Sequence, residues 1–244
     1  MAGKKIPHVL LNSGHKMPVI GMGTSVENRP SNETLASIYV EAIEVGYRHF
    51  DTAAVYGTEE AIGLAVANAI EKGLIKSRDE VFITSKPWNT DARRDLIVPA
   101  LKTTLKSFTS VEMNPSWQQG KLREFCKQKG IHVSAWSALG AYKIFWGSGA
   151  VMENPILQDI AKAKGKTIAQ VALRWVYQQG SSAMAKSTNR ERMKQNLDIF
   201  DFELSEEDLE RISQVPQRRQ YTGDMWLSEN GSCKTLEELW DGDV

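Results

Sequence analysis

Asp51, Tyr56 and Lys86 are residue types that acid–base chemistry uses, and each falls at or just after strand-like sequence. Asp51 closes the run Tyr-Arg-His-Phe-Asp, Tyr56 follows in the next loop, and Lys86 closes Val-Phe-Ile-Thr-Ser-Lys. A tyrosine with an ordinary pKa near ~10 is a poor proton donor or acceptor at neutral pH. An ammonium beside it stabilises the phenolate and should draw that value toward the working pH, while a carboxylate keeps the ammonium charged and oriented. Singly, each residue has a plainer explanation: a capping aspartate, a packed tyrosine, a solvated lysine. Together at strand ends they ask three independent coincidences of that explanation.

A second group suits anion binding. Lys186 ends a strand-like stretch, and Ser187 and Thr188 lead into a helix whose first turn holds Arg192. Unpaired N–H groups at a helix start favour anions, and an arginine there adds a bidentate grip on phosphate. Without the neighbouring Lys-Ser-Thr, Arg192 would read better as a solvated helix charge. Gly21 and Gly23 follow the first strand but lack the third glycine of a dinucleotide fingerprint, Val26 standing in its place. They read equally as a plain tight turn.

The elements that must carry these residues alternate. Two short extended runs around Ser13-Gly14 suggest an N-terminal hairpin within 1–20. Strands are expected at 47–51, 81–86, 111–114, 131–136 and 182–186, besides the run ending at Ile20. Helices are expected at 32–45, 59–72, 92–106, 120–129, 155–164, 167–179, 191–196 and 205–214, with a polar tail from about Val215. Strand–helix alternation without a composition break implies one α/β domain over 1–244 with a parallel sheet. A (β/α) barrel gathers functional residues at the C-terminal ends of several strands, as here.

Composition removes other classes. Lys+Arg 30 balance Asp+Glu 30, so no net field favours nucleic acid or an anionic membrane. Two cysteines, Cys126 and Cys233, make neither a disulfide framework nor a zinc site, and no metal is expected. No apolar run approaches the ~18–20 residues of a membrane span, and the start is too polar for a signal peptide. The expectation is a cytoplasmic monomer with a small-molecule substrate and no nucleic-acid or membrane partner.

The segment Gly46-Tyr-Arg-His-Phe-Asp-Thr-Ala-Ala-Val-Tyr-Gly-Thr-Glu59 resembles the signature of the aldo-keto reductases, and Val81 to Lys86 resembles their lysine strand. Val111-Glu-Met-Asn-Pro115 and Ala185-Lys-Ser-Thr188 match later family segments. The chain is most similar to plant members, the group with chalcone (polyketide), codeinone and methylecgonone reductases. That impression rests on residues 43–51, Leu173-Arg-Trp-Val-Tyr-Gln-Gln-Gly180 and the ending Lys234-Thr-Leu-Glu-Glu-Leu-Trp-Asp241. The resemblance implies a (β/α)8 TIM-type barrel and NADPH-dependent reduction of a ketone or aldehyde, with an alkaloid or polyketide type of substrate. Tyr56 inherits the role of proton donor, with Asp51 and Lys86 as its partners. Gly23, Thr24 and Asp51 would approach the nicotinamide end, and Trp136 would stack on its face. Ser137, Leu139 and Gly140 would follow the pyrophosphate. Lys186, Ser187, Thr188 and Arg192 would hold the 2′-phosphate, with Gln195 and Asn196 facing the adenine. Trp88, Asn89, the loop 142–149 and Met225-Trp226 would line the substrate pocket, although Trp226 equally suits pinning the tail.

The chain departs from that family around 106–110. Six strands are countable instead of eight, so about two β/α units are missing. They include the apolar strand ending in a His-Trp pair and the Ser-Asn pair that holds the nicotinamide carboxamide. Ser110 replaces a glutamine, and Ala138 and Ala185 stand where proline, or at the second position valine, is common. None of His8, His15, His49 and His132 is an obvious substitute for the lost histidine. Residues 107–110 match neither flank of the family pattern, which reads as a genuinely shortened chain with a continuous peptide at Lys106–Ser107. Two other readings stay open: a shortened isoform that binds NADPH without efficient catalysis, and a different barrel enzyme using a phosphate-bearing substrate.

Overall fold

A computed structural model describes residues 6–86, 108–144, 147–224, 227–229 and 233–240. The hairpin β1 (His8–Leu10) and β2 (Lys16–Pro18) pairs Val9 with Met17 across the turn. Then come β3 (Ile20–Gly23), α1 (Asn32–Val45), β4 (His49–Asp51), α2 (Glu59–Glu71) and β5 (Phe82–Thr84). After the undescribed stretch follow β6 (Phe108–Glu112), α3 (Gly120–Gln128), β7 (His132–Trp136), α4 (Pro155–Lys164), α5 (Ile168–Gln178), β8 (Ser182–Met184), α6 (Arg190–Leu197) and α7 (Glu206–Ser213). A short α8 (Leu236–Trp240) lies in the tail.

Helix boundaries fall where capping chemistry puts them. Ser31 accepts from the Thr34 amide at the start of α1, and Gly46 ends it at φ 119°, a conformation that a side chain disfavours. Asn154 and Pro155 open α4, Thr167 and Gln170 form a reciprocal box on α5, and Ser205 and Asp208 do the same on α7.

The six strands β3 to β8 form one parallel sheet in the order β5-β4-β3-β8-β7-β6. The first strand of this set pairs with the last, Ile20 opposite Ala183, which is how a barrel closes on itself. The consecutive strands β5 and β6 stand at opposite edges, where two further strands of a circular order would fit. This is a (β/α)8 architecture lacking two units, as expected. The peptide Lys106–Ser107 and the expected helix 92–106 lie outside the described residues.

Gly21 and Gly23 are in β3, so the tight-turn reading of this pair is corrected. A Cβ on Gly21 would meet Met184 Sδ at 2.5 Å and the His49 ring at 3.0 Å. The glycine lets β8 and the buried His49 crowd against β3. His49 is fully buried and bonds Pro18 O and Thr84 Oγ1, each at 3.0 Å. The carbonyl only accepts, so Nδ1–H donates to Pro18 and Nε2 accepts the Thr84 hydroxyl. Burial pushes the imidazole pKa down to about 4, keeping it neutral.

The tail is less featureless than its polarity suggests. Thr235 Oγ1 accepts from the Glu238 amide at 3.2 Å, and Glu238 Oε2 accepts from the Lys234 amide at 2.6 Å. The Thr-x-x-Glu spacing that permits this start of α8 is visible in the sequence.

Candidate active site

Parallel pairing places the C-terminal ends of β3, β4, β5, β7 and β8 on one rim. Gly23 is in register with Asp51, and Asp51 with Thr84, two residues before Lys86. Lys86 Nζ lies 2.7 Å from Asp51 Oδ2 and donates also to Thr52 O at 2.9 Å. The ammonium stands over the Tyr56 ring, 5.3 Å from its centroid. The three residues expected to act together are therefore together. Tyr56 sits in a single 3-10 turn, Ala54–Tyr56, ended by Gly57 at φ 61°. A Cβ on Gly57 would meet the Arg29 guanidinium at 2.5 Å, so the turn packs tightly on the loop before α1.

Their electrostatics differ from expectation in one respect. The Tyr56 pKa is pushed up, first by burial and then by the Asp51 carboxylate. Lys86 faces the ring and spends its charge on Asp51, so it does not draw the phenol down. The expected lowering is corrected: burial and the Asp51 carboxylate hold Tyr56 as a neutral phenol that keeps its proton. Burial pushes the Asp51 pKa up, and Lys86 opposes this by its charge and hydrogen bond.

Threonines lock this corner. Thr24, buried, bonds Asp51 O through both its amide and its hydroxyl, at 3.1 and 3.0 Å. Its hydroxyl also meets Thr58 Oγ1 at 2.9 Å, and Thr58 meets Thr52 Oγ1 at 2.9 Å. The network explains why Thr24 lies against Asp51, and sequence reading did not find Thr52 and Thr58.

Trp136 ends β7, half-buried, with the Tyr221 ring edge-on at 6.4 Å. Behind it the backbone turns sharply: Ser137, Gly140, Ala141 and Lys143 all have positive φ. The buried Asn114 side chain donates to Ser137 O at 3.2 Å, and Gly140 N donates to Ser137 O at 2.8 Å. Leu139 is half-buried on this turn.

On the far side of β3, a Cβ on Gly23 would lie 3.9 Å from the Lys186 amide, linking the acid–base corner to the anion group. Lys186, Thr188, Arg192 and Gln195 are exposed, and their side chains make no hydrogen bond or ion pair among the described residues. Ser187 is buried and bonds the Asn189 backbone, while Asn189 caps α6 by accepting from the Arg192 amide at 2.9 Å. Asn196 does not share the exposed face. It is 4% exposed, with the buried Tyr47 phenol beside it. Trp88, Asn89, Met225 and Trp226 lie outside the described residues.

The aldo/keto reductase family profile matches residues 19–113 and 107–216, and the chain belongs to this family of oxidoreductases. It is 42% identical to "Protein REDOX 2" of Catharanthus roseus, with 98% of both chains covered. It is 42% identical to "Rhazimal reductase 2" of Alstonia scholaris, again over 98% of each. It is 40% identical to "NADPH-dependent codeinone reductase 1-4" of Papaver somniferum over 99% of each. The first of these alignments spans 318 positions, more than the 244 residues of this chain. The profile match breaks at 107–113, where the sequence resemblance also breaks. Among solved structures, a Bombyx mori aldo-keto reductase in complex with NADP superposes with a TM-score of 0.79 at 27% identity, covering 91% of this chain and 97% of that one.

Proposed function

We propose that this protein is an NADPH-dependent reductase of ketones or aldehydes of plant secondary metabolism, with Tyr56 as proton donor. The observation that carries the reading is the Asp51–Lys86 ion pair beside a phenol held neutral on the rim of a parallel barrel-type sheet. Two of the relatives named above, a rhazimal reductase and a codeinone reductase, support the direction of reaction and the substrate class.

The residues present fit the dinucleotide. Lys186, Thr188 and Arg192 offer uncommitted donors at the start of α6, suited to a 2′-phosphate. The NADP-bound structural neighbour supports the same choice. Gly23 leaves the rim open next to Asp51, and Trp136 offers an aromatic face. Ser137, Leu139 and Gly140 supply the turn that the pyrophosphate would follow. When bound, NADPH supplies the hydride. Tyr56 then gives its phenolic proton to the carbonyl oxygen, and Lys86 holds Asp51 charged and in place. Trp88 and Trp226 complete the substrate pocket in this proposal. The protein acts in the cytoplasm in this reading, which two free cysteines, one of them buried, support.

A second reading is favoured by the gap in strand order between β5 and β6: a shortened isoform that binds NADPH and turns over slowly. Steady-state NADPH oxidation against a panel of ketones and aldehydes separates the two, ordinary turnover supporting the first. Quenching of tryptophan fluorescence by NADPH is expected under both, and its absence would favour a barrel enzyme with a phosphate-bearing substrate.

A further inference from the structure

Glu112 is a carboxylate that the acid–base corner does not use. It ends β6, is 5% exposed, and belongs to no ion pair among the described residues. Its two oxygens accept successive backbone amides of the tail, Gln220 N on Oε1 and Tyr221 N on Oε2, each at 3.2 Å. Two adjacent N–H groups form a donor pair that a carboxylate matches with both oxygens, and a neutral side chain does not. Burial pushes its pKa up, and the two tail amides and the Arg219 charge oppose that shift.

The rest of 217–221 is docked on the turn after β6. Arg218 N donates to Ser116 O at 2.6 Å, and Gln118 N donates to Gln217 Oε1 at 2.6 Å. The Arg219 guanidinium lies over the Trp117 ring at 4.6 Å. The consequence falls at the rim: the amide that Glu112 holds belongs to Tyr221, whose ring lies T-shaped to Trp136 with centroids 6.4 Å apart.

We propose that Glu112 is a positioning residue that clamps the tail so that Tyr221 walls the carbonyl site beside Trp136, favouring a flat, apolar carbonyl substrate. This rests on the reductase reading above. Removing the carboxylate takes away the acceptor of the Tyr221 amide without touching Asp51, Tyr56 or Lys86.

The test uses the full chain with Glu112→Ala, Glu112→Gln and Tyr221→Ala. Limited trypsin treatment reads the clamp without reference to activity. Cleavage after Arg218 or Arg219 should be at least tenfold faster in Glu112→Ala than in wild type, and intermediate in Glu112→Gln, which keeps one accepting oxygen. Kinetics with an aromatic ketone should show KM raised about tenfold with kcat little changed. Tyr221→Ala should do the same, and the double variant should be no worse than either single one. Equal nicking of all forms, or losses that multiply in the double variant, overturns the proposal. Wild type that oxidises no NADPH with any carbonyl contradicts the reductase reading instead, and leaves the trypsin result to decide the clamp. Should Glu112→Ala fail to fold, Glu112→Gln carries both comparisons.

Discussion

Lys86 Nζ lies 2.7 Å from Asp51 Oδ2, and this pairing commits the lysine charge to the carboxylate, while burial keeps the neighbouring phenol neutral. Tyr56 therefore carries its proton, as a proton donor must before transfer. A reduction needs that donor at the oxygen that becomes negative as hydride arrives at carbon.

Replacing Lys86 by Met leaves the Asp51 carboxylate buried without its ammonium. Stability at neutral pH should fall by roughly 1–3 kcal/mol, less than for a fully buried pair because the Lys86 side chain is 30% exposed. Urea denaturation of Lys86→Met and of Lys86→Met with Asp51→Asn checks this. The second change should restore part of the loss, and an unchanged midpoint in the single variant contradicts the pairing.

Arg192→Ala should weaken NADPH binding by about 1.5–3 kcal/mol, the scale of a charge-assisted hydrogen bond, and leave NADH nearly untouched. Fluorescence titrations with both cofactors decide it. Equal losses would show that Arg192 does not meet the 2′-phosphate.

Acid should destabilise the fold through the buried His49 and the half-buried His132. Burial pushes His49 and His132 down to about 4, so between the ordinary value and 4 the unfolded chain binds more protons than the folded one. Their contribution is complete above about pH 6.5 and is lost as pH falls toward 4. Asp51 and Glu112, with raised values, work in the opposite sense as they take up protons. His132→Gln isolates one histidine and keeps a polar partner for Ser182 Oγ, now 2.8 Å from His132 Nε2. Its thermal midpoint should fall less steeply with acid than that of wild type, and identical slopes would refute the assignment.

Gly21→Ala tests the crowding between β3, β4 and β8. The added methyl must displace Met184 Sδ or the His49 ring, for a loss of roughly 1–3 kcal/mol. Gly63→Ala on α2, where a Cβ meets nothing within 4 Å, should instead be neutral or stabilising. Equal midpoints for the two variants would contradict the packing described.

Local chemistry made much of this legible in the sequence. The bounds of α1 follow from Ser31 and Gly46, and those of α4 from Asn154, Pro155 and Gly165. Asp51, Tyr56 and Lys86 were identifiable because strand ends in a parallel barrel converge. The direction of the Tyr56 shift was not, since it depends on which face of the ring the ammonium meets and how deeply the phenol is buried. The Glu112 clamp joins residues more than a hundred positions apart, Glu112 and Tyr221, through backbone amides that carry no side-chain signature. Asn196 is an expected adenine contact, and its burial beside Tyr47 depends on packing that the sequence does not show.

The central claim is that Tyr56 delivers the proton in NADPH-dependent carbonyl reduction. A single-turnover measurement with stoichiometric NADPH and an aromatic ketone reads it directly, even at slow turnover. Wild type should consume NADPH, and Tyr56→Phe should do so at least about a hundredfold more slowly while binding NADPH with nearly unchanged affinity. A Tyr56→Phe rate within tenfold of wild type would contradict the account.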